Sequence, residues 1–417
     1  MPKRIVRCIK LERHSHERRM RIALRITPDA ERRVRGGHPW LYDQAIRRQS
    51  CEGRAGDWAV LYDRRDRFLA IGLYDPTSPI RVRILQHRRP ALIDHAWLCQ
   101  RMATAAQVRV PVAAHTSGYR MIHGENDGLP GLVVDRYDQT LVVKLYTPAW
   151  APHLRMVLAA LRQTCPAQRA VLRLSRSVQR NTTALDNLSD GDVVFGAPLN
   201  SSLVFLEYGV QFTVDPAHGQ KTGFFLDQRE NRLRVERLSA GRTVLDGFGY
   251  TGAFSVYAAR GGACVVTTLD ASRPALNAAA RNMRLNRHHP AVAAARHELV
   301  EANVFEQLEQ WRRSGRRFEL IVLDPPAFAK TPAERPAALA AYHQLTRLAL
   351  RILQPRGYVV LACCSSQITA PMLIHQVRRA AAQSHRPVRI LEQTLQPLDH
   401  PIQFPEGAYL KCLFMQA

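Results

Sequence analysis

An apolar run at 243–246 ends in Asp246-Gly247-Phe248-Gly249-Tyr250-Thr251-Gly252 and passes at once into a helical pattern. A G-x-G-x-x-G spacing at a strand-to-helix junction lets the backbone turn sharply and approach a ligand closely, as in parallel α/β sheets that hold nucleotide-like cofactors. The text on either side agrees. From about Gly219 strands and helices alternate, the mark of a parallel sheet covered by helices. Strands are predicted at 243–246, 265–270, 318–324 and 358–362, with a weakly signalled one near 295–300. Helices are predicted near 252–260, 272–286, 336–353 and 371–383, and a last run, 409–414, is expected as an edge strand.

The turn alone does not choose its cofactor. A nicotinamide dinucleotide and S-adenosylmethionine both use such a turn, and both use an acid closing the second strand, here Asp270, to bind ribose hydroxyls. The choice comes from two later motifs: Asp324-Pro325-Pro326 closes the 318–323 run, and Cys363-Cys364-Ser365 closes the 358–361 run. Both emerge at the carboxyl edge of the sheet, bringing a carboxylate and a thiol together beside the glycine turn. A dehydrogenase has no use for that pair, whereas methylation of a pyrimidine carbon does.

Carbon 5 of cytosine is a poor nucleophile. A thiolate adding to carbon 6 makes carbon 5 electron-rich enough to accept a methyl group, and an acidic residue near N3 and the exocyclic amine stabilises the adduct. Asp324 suits that second task, held in a loop stiffened by two prolines. Cys363 and Cys364 compete for the first, and because consecutive extended residues face opposite sides, one of them is expected to line the site.

Lys and Arg number 59 against 35 Asp and Glu, a formal charge of +24 dominated by arginine, which favours a polyphosphate partner. No run approaches the ~18 apolar residues of a membrane span, and no signal-peptide apolar core follows the first basic residues, so a cytoplasmic protein is expected. Eight cysteines without a C-x-x-C pair suggest reduced thiols and no metal site. Residues 1–20 read as a basic arm, 21–90 as a small β-barrel, 91–212 as a central α+β domain with a hairpin at 129–146, and 213–417 as the cofactor domain.

At this point the chain resembles the bacterial large-subunit ribosomal RNA methyltransferase I family, 23S cytosine-C5 methyltransferases with an N-terminal PUA RNA-binding domain. The likeness rests on Arg33-Val34-Arg35-Gly36-Gly37-His38-Pro39-Trp40 and on Gly124-Glu125-Asn126-Asp127-Gly128-Leu129-Pro130-Gly131. It rests also on the 219–229 loop with Gln228-Arg229, and on Asp399-His400-Pro401 with Pro405-Glu406-Gly407-Ala408-Tyr409-Leu410-Lys411. It implies an α/β fold: a Rossmann-like class I methyltransferase domain with a seven-stranded mixed sheet, a PUA-like barrel and a central α+β domain.

The resemblance also implies S-adenosylmethionine as cofactor, and 23S ribosomal RNA or a large-subunit precursor as partner, with a homodimer left open. It puts the nucleophile on Cys364, which precedes Ser365, and an adenine-contacting position on Asn303, whose side-chain oxygen can accept. Asp246, Gly247, Phe248, Gly249, Gly252, Asp270 and Asp324 complete the expected cofactor site, with Gln228 and Arg229 as candidates for contact with the methionine part. His38 and Trp40 are candidates to face RNA, and His400 to line the base pocket. Ala327 stands where the family often has lysine. Two other readings compete: a nitrogen-directed RNA methyltransferase (guanine N7 or an exocyclic amine), which needs no thiol, and a non-catalytic RNA-binding ribosome-assembly factor.

Overall fold

The computed structural model describes residues 20–180, 188–199 and 202–417. Residues 1–19 of the expected arm, with Cys8, lie outside them. The described residues form two compact units: those up to 205 with 214–224 and 398–404 make one, and 206–213, 225–397 and 405–417 the other.

The second unit is built on seven strands: β1 (Thr243–Gly247), β2 (Val265–Asp270), β3 (Arg296–Glu301), β4 (Phe318–Leu323), β5 (Leu353–Cys363), β6 (Arg389–Thr394) and β7 (Lys411–Gln416). Their order is β3-β2-β1-β4-β5-β7-β6. The first five are parallel, and β7 runs antiparallel between β5 and β6. The 409–414 run is therefore not the edge strand expected. The edge is β6, Arg-Ile-Leu-Glu-Gln-Thr, whose largely exposed side chains give no apolar run to read.

Helices begin where the side chains can cap them. Ser272 accepts from Ala275 N–H ahead of helix Arg273–Leu285, and Thr369 from Met372 N–H ahead of Ala370–Gln383, each followed by a first-turn proline. Helix Arg335–Ile352 passes directly into β5, and residues 354–357 loop out of register before pairing with β4 resumes at Tyr358. That slip is why β5 starts earlier than the 358–362 run suggests. Alternation then sorts β5 cleanly: Val359, Leu361 and Cys363 pack into one buried cluster with Tyr342, Leu345 and Leu373 from the covering helices.

Among the described residues the first unit holds two sheets of five or more strands. The expected small barrel is a six-stranded sheet with Trp40–Tyr42 and Ile46–Gln49 at its two ends. A five-stranded sheet follows, containing the hairpin Leu132–Tyr137 and Thr140–Leu145. The first of these strands carries Asp135 fully buried, accepting two bonds from Arg120 (2.7 and 2.9 Å) and one from Thr222. Arg109 is likewise buried, bridging both oxygens of Asp127 and the Asp399 carbonyl.

Candidate active site and cofactor cradle

The glycine turn sits at the carboxyl end of β1, as the spacing implies. Gly252 opens helix Ala253–Arg260 at φ +72, and a Cβ there would lie 2.7 Å from Ala279 Cβ, so helix packing itself demands glycine. A Cβ on Gly249 would meet Thr268 Cγ2 at 2.5 Å, and one on Gly247 would meet Leu323 Cδ2 at 2.8 Å. The glycines thus let protein pack on protein as much as they admit a ligand. Phe248 and Tyr250 both carry positive φ, and their rings meet Phe305 and Phe225 edge-on.

Two acids flank the turn. Asp270 accepts from Tyr250 N–H and Ser272 N–H, both at 2.9 Å, so its carboxylate is fixed beside the turn. Asp246 is almost fully buried, and its Oδ2 accepts from Ser255 N–H (3.0 Å) and Ser255 Oγ–H (2.7 Å). Its Oδ1 is buried without a hydrogen-bond partner, an acceptor suited to a ligand's hydroxyl or ammonium group. Burial pushes this carboxyl up to about 7, opposed by the Ser255 hydrogen bonds and aided by the Asp270 charge. These acceptors fit the ribose hydroxyls and the ammonium group of S-adenosylmethionine.

Asn303 caps helix Val304–Ser314: its Oδ1 accepts from Phe305 N–H at 2.9 Å and from Glu306 N–H at 3.5 Å. The oxygen expected to accept from adenine is thereby engaged, and the amide nitrogen is what the side chain offers a bound base. Gln228 and Arg229 are buried at the start of helix Arg229–Arg237, with Gln228 Oε1 accepting from Asn231 at 2.6 Å.

Asp324 leaves β4 half-buried, its N–H reaching Gly247 O at 3.4 Å, so its loop abuts the glycine turn. Cys364 is half-buried, whereas Cys363 is sealed in the core. The Cys364 thiol donates to Pro325 O at 3.7 Å, and Ser365 Oγ donates to Ala329 O at 2.6 Å. Two consecutive residues of the thiol motif therefore fasten the loop that follows Asp324. The glycine turn, Asp324 and Cys364 are brought to one sheet edge. His400 belongs to the first unit, where it is buried with its ring 5.0 Å from that of His123.

One participant escaped the sequence reading. Lys411, nearly fully buried at the start of β7 opposite Cys363, donates from Nζ to Ser365 O at 2.6 Å. Burial pushes its ammonium down, and both thiols pull it back up. A lone lysine opening the apolar run Cys-Leu-Phe-Met was the available signal.

Among the described residues no group of His, Cys, Asp and Glu could hold a metal, and no helix is long and apolar enough to cross a membrane. A family model for S-adenosylmethionine-dependent methyltransferases matches residues 119–415, and one for PUA-like domains matches 24–87. A ribosomal RNA large subunit methyltransferase of Deinococcus radiodurans is 47% identical over 402 residues, covering 95% of this chain and 97% of the relative. Ribosomal RNA large subunit methyltransferase I of Serratia proteamaculans is 34% identical over 396 residues, covering 94% and 98%. In fold the chain is similar to a Streptococcus mutans S-adenosylmethionine-dependent methyltransferase (TM-score 0.78, 23% identity, 95% of this chain and 100% of that one). With the cradle fitting S-adenosylmethionine and the likeness running nearly end to end, the chain belongs to the large-subunit ribosomal RNA methyltransferase I family.

Proposed function

We propose that this enzyme methylates carbon 5 of a cytosine in 23S ribosomal RNA, in the cytoplasm, through a covalent adduct with Cys364. The observation that carries the reading is the split between the two cysteines: Cys363 is fully buried, while Cys364 is partly open with its sulfur on the loop that presents Asp324. A nitrogen-directed reaction would leave that thiol without a task.

Asp246, Asp270 and the 247–252 turn are the residues that would hold the cofactor, which supplies an electrophilic methyl group when bound. The rest falls to the protein. With the cytosine rotated out of its stack, the Cys364 thiolate forms a bond to carbon 6. The carbon 5–carbon 6 π electrons then take up the methyl group at carbon 5, while Asp324, as the protonated acid, donates a hydrogen bond to N3 where negative charge builds and keeps its proton when the ring is restored. Loss of the carbon 5 proton to a base returns the electrons to the ring and expels the thiolate. Fluorine at carbon 5 has no proton to lose, so a 5-fluorocytosine 23S RNA fragment should trap a denaturation-resistant adduct that peptide mapping locates on Cys364. An adduct on Cys363, or turnover without any adduct, overturns the mechanism.

Lys411 is read as a positioning residue, holding the 364–367 loop by its bond to Ser365 O and lending positive charge to the thiol region. Lys411→Met is expected to slow methyl transfer about 10- to 100-fold, the range of removing one oriented supporting group. It should also move the rising limb of the pH–rate profile to higher pH, since the thiolate loses a neighbouring cation. A slower enzyme with an unmoved limb would leave Lys411 a purely structural role.

A further inference from the structure

We infer that a second pocket, in the first unit, binds an unstacked guanine of single-stranded RNA; the inference deepens the ribosomal RNA reading and rests on it. Three segments singled out in the sequence but unused by the methyl-transfer chemistry converge on one cavity of about 410 Å³. They are the end of the Arg33–Trp40 signature, the Gly124–Gly131 signature, and the tail around Phe404.

The walls are fixed. Trp40 Nε1 donates to Glu125 Oε1 at 3.0 Å, and Gln403 N–H donates to Asn126 Oδ1 at 2.7 Å, tying the tail across the Gly124–Asp127 helical turn. Phe404 stands edge-on to Trp40 (ring centroids 5.1 Å apart) and to His38 (6.1 Å), which sets its orientation in the wall. Arg101 reaches the Gly128 wall, its Nη1 3.5 Å from where a Cβ on that glycine would stand, and is held there by Gln86 at 2.9 Å and by the Trp97 ring.

This lining pairs a carboxylate with a guanidinium beside an aromatic ring. A carboxylate accepts from the N1–H and N2–H of guanine, a guanidinium donates to its O6 and N7, and the ring supplies a stacking face. Adenine offers one donor at the matching edge and no O6. Exposed Arg33 and Arg88 lie on the neighbouring surface, where they suit the phosphates on either side of the base.

The test is fluorescence anisotropy on the full-length protein with uridine tracts carrying one guanosine, inosine or adenosine. Wild type is expected to bind the guanosine tract about tenfold more tightly than the adenosine tract, with inosine between them because it lacks the 2-amino group. Glu125→Gln keeps an oxygen for Trp40 while replacing the other by a donor, so it should erase the guanosine advantage without lowering the melting temperature. Phe404→Ala should weaken all three tracts about tenfold through lost stacking. Equal binding of the three tracts by wild type, or an intact preference in Glu125→Gln, overturns the inference. So does free GMP competing as well as the guanosine tract, which would make the ligand a nucleotide and not RNA. Methylation of 23S RNA is assayed in parallel: guanosine selectivity without 5-methylcytidine supports the pocket while sinking the proposed reaction, and the converse sinks the pocket alone.

Discussion

Cys364→Ala should abolish 5-methylcytidine formation in a 23S RNA substrate, while Cys363→Ala should remain active. Removing a covalent nucleophile costs about 10⁴-fold or more in kcat, because no other group takes over bond formation. Cys363 lies wholly within the core beside Tyr342 and Leu361, so its truncation removes packing, a cost of about 1 kcal/mol, and touches no reacting atom. Nucleoside analysis of the product by mass spectrometry reads the difference directly. Calorimetry with S-adenosylmethionine belongs beside it. Intact cofactor binding by Cys364→Ala places its defect in chemistry, whereas methylation surviving in that variant would turn the assignment toward a nitrogen target. Absence of both binding and turnover in the wild type would favour an RNA-binding factor without catalysis.

Much of this centre was legible because its residues punctuate strands. Asp246, Asp270, Asp324 and Cys364 each stand at or just beyond the carboxyl end of a parallel strand, where the chain leaves the sheet and polar groups become affordable. Period-2 alternation parts the two cysteines, and Val359, Leu361 and Cys363 do share one buried cluster; Val360 and Ala362 on the other face are buried too, so it is the end of β5 at Cys363 that opens Cys364. Alternation did not say which cysteine would be outside; the serine that follows Cys364 carried that assignment, and Ser365 proves to be fastened to Ala329 O.

What stayed hidden depends on long-range partners. Asp135 could not be read as buried without knowing that Arg120 and Thr222 would meet it, and nothing beside Asp127 in the sequence tells that Arg109 bridges its two oxygens. Residues 398–404 lie in a tail that reads as part of the cofactor domain, yet they pack with the first unit, where Asp399 accepts from Arg120 N–H and Arg109. Lys411 was hidden for a similar reason. Its carbonyl partner lies at Ser365, 46 residues away, and the lone lysine before an apolar run does not by itself point there.

Glu207→Leu is the substitution expected to cost the most stability. Glu207 and Arg232 are both essentially inaccessible and meet through two parallel bonds of 2.7 Å, while Arg232 Nη1 also donates to Phe225 O at 3.0 Å. Leucine would leave that guanidinium buried with its countercharge gone, at a cost of about 3–5 kcal/mol. For a unit of this size that lowers the thermal midpoint by roughly 10 °C. The double variant Glu207→Leu/Arg232→Met replaces the ion pair by apolar contact and should recover most of the loss, since the pair's attraction largely offsets its own desolvation. A double variant as unstable as the single one would instead mean that the fork geometry, not charge balance, is what holds this region. The consequence extends to the cofactor cradle. Arg232 belongs to the helix that begins at Gln228 and Arg229, and the Glu207 carbonyl accepts from Tyr257 in the helix opened by Gly252. One buried ion pair thus registers two helices that abut the cradle, so the single variant should weaken S-adenosylmethionine binding below its melting transition, and the double variant should restore it.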